Sequence, residues 1–548
     1  MAFTTPSSIG GDTYWYVLDI RASLTRPWTN APALWEFAHV LWRPLGRALA
    51  QIFLPITAPR FGGDAQTAIT FLLACVSVVG ALVCVLTVHA AVWRLTRRPW
   101  IAAFVAASFL CLSPILNYSR TGCPYTAGLA CSAVALYLAA FRAPAWKTAA
   151  LCGLLSGIAA LLWVPFLMSL PAVLVARAVL ERRKLRFDFR WAAIVCVSAG
   201  AALASFYVFA IAAAHISSVP NLMAWIRRES AYSRDRTLLR MATGMVRGFY
   251  DLGNDSVWFK WFVFRDPYAQ VGLLDLLRAA LARLAMFYAA LACLAIVLWR
   301  SSMGRKLLLL TAIAALPHLA LALALESGDP ARYLPALPAV AMAFGYAAGG
   351  AEIGRGARIL ATVLFCLHIP ANLMSGQAAA RQGREAAQRI ALLNSLPPRS
   401  RLYVVNLRDA LFGAGYGAAF HSGSLRPLRE VGVIVPSSLR SPLWRTDFSC
   451  SVLKLWDQRR ETWISKRVLA NRPTRAWMWV EGDDPHVTWQ AVNRFFLPFG
   501  RAQDLAGDDG FFLLSDAPAN RRILLDNIPD ADPRNCQDPF VQPTQPRS

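Results

Sequence analysis

Charge is scarce in this chain. Of its 548 residues, 16% are Asp, Glu, Lys or Arg and 56% are hydrophobic, whereas a soluble domain carries roughly a quarter charged residues. Acids are the scarcer sign, 32 against 56 Lys and Arg, for a formal net charge of +24. The long apolar runs hold almost no acids at all. A proton- or ion-coupled transporter places ionisable groups at mid-membrane depth, so their near absence argues against that class, as does the absence of an internal repeat. No Cys-x-x-Cys pair and no Cys/His spacing of a zinc site occurs. Most cysteines (Cys75, Cys84, Cys111, Cys131, Cys152, Cys196, Cys293, Cys366) lie inside apolar segments, where they act as small hydrophobes. Cys450 and Cys536 lie outside those segments and would be free to pair in an oxidising compartment. No soluble basic module is present, so the positive charge does not point to nucleic acid. It suits anionic lipid head groups or a phosphate-bearing substrate instead.

What the chain does have is a series of apolar runs, at 67–93, 100–117, 126–141, 148–180, 191–215, 279–299, 307–325, 333–349 and 359–374. A spanning helix needs about 20 apolar residues. The run 148–180 is too long for one untilted span and carries Val164-Pro165 at its middle, which predicts two short helices joined by a tight turn. The short segments 94–99, 142–147, 181–190, 300–306 and 352–358 are basic and fall on one side, which the positive-inside rule makes cytoplasmic. The opposite side receives 1–65, 118–125, the long loop 216–277, 326–332 and everything after 376. The amino terminus shows no basic-then-apolar signal pattern, yet this topology puts it outside. Either the first visible span inserts with its amino end outside, or a start lies upstream with a further helix; the second is the expected explanation. Residues 28–57, interrupted by Pro32, Pro44 and Pro55, read as short amphipathic helices at the membrane interface or as a packed loop.

The predicted fold is therefore an all-α polytopic membrane domain of about ten transmembrane helices plus interfacial helices, followed by a small α/β domain on the outer, periplasmic face of a bacterial inner membrane. Its expected divisions are an outer-face catalytic loop with interfacial helices (1–65), the transmembrane domain (66–375), the α/β domain (376–516) and a poorly ordered tail rich in Pro, Asp, Asn and Gln (517–548). Within the α/β domain, 377–395 reads as helix, 401–405, 476–480 and 511–514 as strands, and 485–496 as a helix between two of them.

The acids gather on the predicted outer side: Asp12, Asp19, Glu36, Asp251, Asp255, Asp266, Glu326 and Asp329. Cations accompany them, with Arg227, Arg228, Arg234, Arg236, Arg240 and Arg247 opening the long loop and Arg332-Tyr333 following Asp329-Pro330. Arginine binds phosphate bidentately and is always charged. A carboxylate base beside an Arg-lined phosphate site suggests group transfer from a lipid-linked phosphate donor. The base deprotonates an acceptor hydroxyl or amine, and the cations stabilise the departing phosphate.

These residues resemble the C-type integral-membrane glycosyltransferases. Gly11-Asp12-Thr13-Tyr14-Trp15-Tyr16 looks like the acidic motif of that family's first outer loop, with Thr13 where many members carry a second acid. His39-Val40-Leu41-Trp42-Arg43-Pro44-Leu45-Gly46 is similar to a His-x-x-x-x-Pro-x-Gly stretch of bacterial members, and Arg332-Tyr333-Leu334-Pro335 to a late Arg-Tyr motif. The resemblance covers roughly 10–375. It implies a polyprenyl-phosphate-sugar donor, a glycan, lipid or protein acceptor, contact with membrane lipids, and inverting hexosyl or pentosyl transfer on the outer face. It allows a divalent metal without requiring one, and no other cofactor follows from it.

Under that resemblance Asp12 is the catalytic base or the acid that positions the acceptor, His39 is its companion, and Asp19, Tyr118, Arg120, Tyr125, Arg227, Arg228, Arg332 and Tyr333 bind substrate. Each has a plainer reading. Asp12 could cap an interfacial helix, Asp19 could be a paired surface acid, and His39 a locally bonded interface histidine. The Arg227–Arg247 group could face lipid head groups, and Arg332 could anchor its helix by snorkelling. His318, beside Pro317, reads as a packing residue. Two other classes compete with the enzyme, a transporter or flippase for a lipid-linked glycan and a non-catalytic membrane scaffold.

Overall fold

The computed structural model describes residues 12–63, 65–181, 188–228, 238–250, 281–325 and 327–374, and, further on, 401–405, 430–434, 444–465, 494–499 and 511–528. The chain divides into two compact units, each with its own apolar core.

The first unit is helical. It opens with α1 (Asp12–Ser23), followed by three short 3-10 turns (Trp28–Asn30, Pro32–Leu34, Phe37–His39) and α2 (Trp42–Thr57). α2 buries Trp42, Pro44, Gly46 and Ala50 and exposes Ile52, Phe53 and Ile56, the two-faced pattern of an interfacial helix. Then come α3 (Ala65–Thr96), α4 (Pro99–Leu110), α5 (Ser113–Tyr118), α6 (Tyr125–Phe141), α7 (Trp146–Leu162), α8 (Leu170–Leu180), α9 (Phe189–Ala213), α10 (Val219–Arg228) and α11 (Leu238–Arg247). The unit closes with α12 (Ala282–Trp299), α13 (Ser302–Ala324), α14 (Leu337–Gly349) and α15 (Arg355–Cys366).

Among the described residues five helices are long and apolar enough to cross a membrane: Ala65–Thr96, Phe189–Ala213, Ala282–Trp299, Ser302–Ala324 and Arg355–Met374. Shorter apolar helices complete the bundle at Pro99–Leu110, Tyr125–Phe141, Trp146–Leu162 and Val164–Leu180, together with α14. The chain is thus a multi-pass membrane protein. The run 148–180 breaks as expected, with a 3-10 turn at Val164–Ser169 between α7 and α8. Two other runs are shorter than expected, and proline is the reason in both. The run 100–117 stops at Leu110 and restarts at Ser113, because Pro114 has no N–H to continue the helical ladder. The run 333–349 becomes a 3-10 turn (Pro330–Ala336) followed by α14, with Pro335 and Pro338 at the junction.

Lipid tails give helices no hydrophobic reason to associate, so close packing of small residues does the work. At the crossing of α3 and α6, a Cβ on Gly80 would lie 2.7 Å from the Ala127 backbone. Thr126 Oγ1 donates to Ser77 O at 2.8 Å, and Ser77 Oγ to Cys123 O at 2.9 Å. α7 meets α9 through Gly153 and Gly157 in the same way. Trp93, Trp100, Trp146, Phe189 and Trp299 stand exposed at helix ends, each beside basic residues such as Arg94, Arg98, Lys147, Arg190 and Arg300. Aromatic rings with adjacent cations are what a membrane–water boundary selects.

The second unit is α/β. Its sheet has the order β2-β1-β3-β4, with β1 (Arg401–Val405) parallel to β2 (Glu430–Ile434) and to β3 (Thr462–Ser465), and β4 (Phe511–Leu514) antiparallel on β3. Two helices, α16 (Trp444–Asp457) and α17 (Pro518–Leu525), join the sheet around Phe448, Phe496, Ile464, Leu514 and Leu524. The strands at 401–405 and 511–514 are as expected; β2 and β3 were not foreseen. The expected elements at 377–395, 476–480 and most of 485–496 lie outside the described residues. The expected tail needs correcting at its start. Residues 518–525 form α17, and Leu524 and Ile528 are buried in the core; apolar burial holds a segment whose composition alone suggests disorder. Cys450 is disulfide-bonded. Cys536, the partner expected for it, lies outside the described residues.

Candidate active site

The site is built at the end of the bundle where α1 meets the α5–α6 loop. α1 turns Thr13, Tyr16, Val17 and Ile20 inward, the i, i+3, i+4, i+7 stripe of a helix buried on one face. Its first turn is tied down by Thr13, whose Oγ1 accepts from Gly122 N at 3.1 Å and sits 3.3 Å from Cys123 Sγ. Trp42 Nε1 donates to the other side of the same residue, Gly122 O, at 2.8 Å. Asp12 is the first residue of α1. The expected catalytic stretch is thus helical from Asp12 onward, not a loop. The Asp12 side chain lies outside what the structure describes.

The 3-10 turns between α1 and α2 are held from behind. Trp225 Nε1 donates to Trp35 O at 2.6 Å and the Tyr207 hydroxyl to Phe37 O at 2.8 Å. This fixes Glu36 and His39 in space. Arg43, in the first turn of α2, then gathers the acids. Its guanidinium lies 2.7 Å from Glu36 Oε2 and 3.3 Å from Asp19 Oδ2, donates to Ala33 O at 2.7 Å, and stands over the Tyr16 ring at 5.2 Å. Asp19, expected to touch substrate, therefore has its carboxylate on Arg43. His39 is buried, with Nδ1 3.5 Å from Glu36 Oε2 and Nε2 3.3 Å from the Tyr16 hydroxyl.

From His39 a run of rings crosses to the other side of the bundle. His39 packs edge-on to Tyr125 at 6.3 Å, Tyr125 to Tyr118 at 4.7 Å and to Trp163 at 4.8 Å. Arg332 closes the run, its guanidinium 5.3 Å over Trp163 and its Nε 3.6 Å from Asp329 Oδ2. Four of the expected site residues, His39, Tyr118, Tyr125 and Arg332, thus share one wall. Arg120 lies in the α5–α6 loop beside it, half-buried, and its guanidinium has no ion-pair or hydrogen-bond partner among the described residues.

Two expected residues are placed elsewhere, and a third lies outside the described side chains. Arg227 is exposed on α10, and the side chain of Arg228 is outside the described set. Tyr333 donates its hydroxyl to Ser327 O at 2.6 Å. Burial pushes the Tyr333 phenol well above its ordinary range, with the Asp329 and Tyr288 charges adding to the rise and Arg247 opposing it, so it keeps the proton that this bond needs. His318 meets Ser169 Oγ at 3.1 Å within the bundle.

Sequence reasoning missed Tyr16, Arg43 and Trp163, and saw Glu36 only as one acid among many. Tyr16 lies one helical turn beyond Asp12, and Glu36, His39 and Arg43 follow a helical spacing; reading both stretches as helix would have paired them. For a divalent metal, no cluster of three His, Cys, Asp or Glu groups occurs among the described residues. Glu36 and His39 are a pair, and Glu36 is already engaged by Arg43. The described residues do not by themselves make a cation site, and no step below is routed through a metal.

A wall of this kind offers edge and face contacts for a sugar ring, a guanidinium at one end for an anion, and a carboxylate–imidazole pair at the other. No protein-family model matches the chain, and no curated protein matches it. Among solved structures it is similar to ArnT from Cupriavidus metallidurans bound to undecaprenyl phosphate, at 12% identity and a TM-score of 0.46 over 85% of this chain and 90% of that one. The apo state of the same protein gives 14% identity and a TM-score of 0.37 over 85% and 89%. The archaeal oligosaccharyltransferase AglB from Archaeoglobus fulgidus, in complex with an inhibitory peptide and a dolichol-phosphate, gives 14% and 0.42 over 89% of this chain and 69% of that one. All three likenesses are distant.

Proposed function

We propose that this chain is a membrane glycosyltransferase of the C-type class, moving a hexose or pentose from a polyprenyl-phosphate donor to an acceptor on the outer face with inversion. The observation that carries the reading is the continuous wall His39–Tyr125–Trp163–Arg332, which sets a cation and an acid–imidazole pair at opposite ends of an aromatic surface. Arg332 takes the donor phosphate, with Arg120 as a second cation. The sugar lies along Tyr118, Tyr125 and Trp163. An acceptor hydroxyl or amine attacks the anomeric carbon from the far side. The anomeric C–O bond breaks, its electron pair leaves on the lipid phosphate, and the acceptor proton passes to the Asp12 carboxylate. The guanidiniums stabilise the charge that develops on the phosphate. His39, held between Tyr16 and Glu36, is the second acid–base group.

The disulfide at Cys450 supports an oxidising compartment for the second unit. The short basic segments, four of the five with an exposed aromatic residue beside them, support a cytoplasmic location for the opposite helix ends. On this reading the α/β unit lies on the side where sugar transfer occurs.

The test is transfer by the purified full-length chain in lipid nanodiscs, supplied with polyprenyl-phosphate-linked sugars and read as release of polyprenyl phosphate. Asp12→Asn is expected to lower kcat by about 10²–10⁴, the usual worth of a general base, with folding preserved. Arg332→Gln is expected to lower kcat/KM by about 10². Full activity of Asp12→Asn would remove the base, and full activity of Arg332→Gln would remove the phosphate site and the reading with it.

A further inference from the structure

Arg332 is oriented on one side by Trp163 and on the other by Asp329, and Asp329 stands in a turn that something else must hold. Asp329 Oδ1 accepts from Ala331 N at 3.0 Å, which caps the 3-10 turn carrying Arg332. The two residues before Asp329 are held by α11 and by Tyr333 of the turn itself. Arg247 Nη1 donates to Gly328 O at 2.7 Å. Tyr333 donates to Ser327 O and has Met241 O of α11 at 3.4 Å. Gly244 lies so close beneath this turn that a Cβ there would run into Ser327 O and come within 2.8 Å of the Tyr333 ring. α11 is itself pinned to the bundle. The Tyr288 hydroxyl of α12 donates to Ala242 O at 2.8 Å. Just past α11, Phe249 O accepts from Ser113 N at 3.2 Å and from Asn372 Nδ2 at 2.6 Å.

We infer that α11 is a latch that sets the position of Arg332: Arg247, Gly244 and Tyr333 are positioning residues that fix the Ser327–Asp329 turn and, through Asp329, aim the guanidinium at the lipid phosphate. This rests on the phosphate-binding role of Arg332 proposed above. The physical basis is that a group two bonds removed from the chemistry must be held to about 0.5 Å by a supporting shell, and a displacement of about 1 Å costs up to about 10² in rate. Arg247 suits the task because its fork can donate to a carbonyl while its charge stays fixed. Gly244 suits it because any side chain would push the turn away.

The experiment is a double-mutant cycle on the full-length chain, measuring kcat and KM for the lipid-phosphate donor. Arg247→Met and Gly244→Ala are each expected to lower kcat/KM by about tenfold, mostly through KM, and Arg247→Lys, which can still reach Gly328 O, to recover most of the loss. Combining Arg247→Met with Arg332→Gln is expected to add nothing to Arg332→Gln alone, because the latch acts only through that guanidinium. A merely structural role would instead multiply the two losses. Multiplicative losses overturn the latch, as does an Arg247→Met variant with unchanged kcat/KM beside a crippled Arg332→Gln. An active Arg332→Gln overturns both the latch and the phosphate site. If Arg247→Met fails to fold, Tyr333→Phe, which removes one hydrogen bond and no charge, takes its place in the same cycle.

Discussion

At the scale of single residues, Arg43 is the hinge of the N-terminal half of the site. Two carboxylates depend on it, one nearly buried on Glu36 and one more exposed on Asp19. Removing one partner of a buried pair costs more than the pair itself contributes, because the stranded charge keeps its desolvation penalty. Arg43→Met is therefore expected to destabilise the protein by about 3 kcal/mol, seen as a lower unfolding temperature in detergent. Asp19→Asn, at the exposed end, should cost no more than about 1 kcal/mol. Equal losses from the two would show that Glu36 does not need Arg43. The same asymmetry explains why Asp19 reads so differently in sequence and in structure. A lone acid near an aspartate motif suggests chemistry, and only the fold reveals the arginine that occupies it.

At the scale of elements, the bundle is assembled by glycines placed at helix crossings. Gly80→Ala, against the Ala127 backbone, and Gly153→Ala, against Val195 O, are each expected to cost about 1–3 kcal/mol, the usual cost of overpacking. Gly200→Ala on α9, with nothing within 4 Å, should be neutral or gain up to about 1 kcal/mol of helix propensity. Thermal unfolding of the three variants side by side checks the contrast. Much of this architecture is legible in the chain itself, since apolar run lengths set the spans and Val164-Pro165 marks the break between α7 and α8. The wall is not. Tyr125, Trp163 and Arg332 belong to distant helix ends, and no local spacing announces that they stack. α1 was hidden by Gly10 and Gly11 just before it, which read as loop although the stripe Thr13, Tyr16, Val17, Ile20 follows directly. β2 was obscured by Gly432 in its centre, since glycine weakens a strand signal. α17 was masked by the polar composition around it, though Pro518 at its first turn is a common helix opening.

At the scale of the whole molecule, the two units are held by different devices, a disulfide in the α/β unit and apolar helix packing in the helical unit. Cys450→Ser is expected to destabilise the α/β unit by about 2–5 kcal/mol, measured as its protease resistance in the intact chain, while the unfolding of the helical unit is unchanged. Unchanged resistance would mean that the disulfide contributes nothing to that unit. The helical unit carries a further consequence in α3, which runs for 32 residues. At 1.5 Å per residue it measures about 48 Å, against a hydrocarbon core of about 30 Å. One end, at Gln66 and Leu73, is buried, with Leu73 against Gly122 of the α5–α6 loop and Gly46 of α2, and the other carries Trp93 and Arg94 in the aromatic–basic boundary. A rod longer than its solvent is thick must lean, and its lean is set by the membrane around it. α3 is in that sense a gauge of bilayer thickness, with one end packed against the α5–α6 loop that borders the candidate site, so the lipid in which the protein resides becomes part of the alignment of that site.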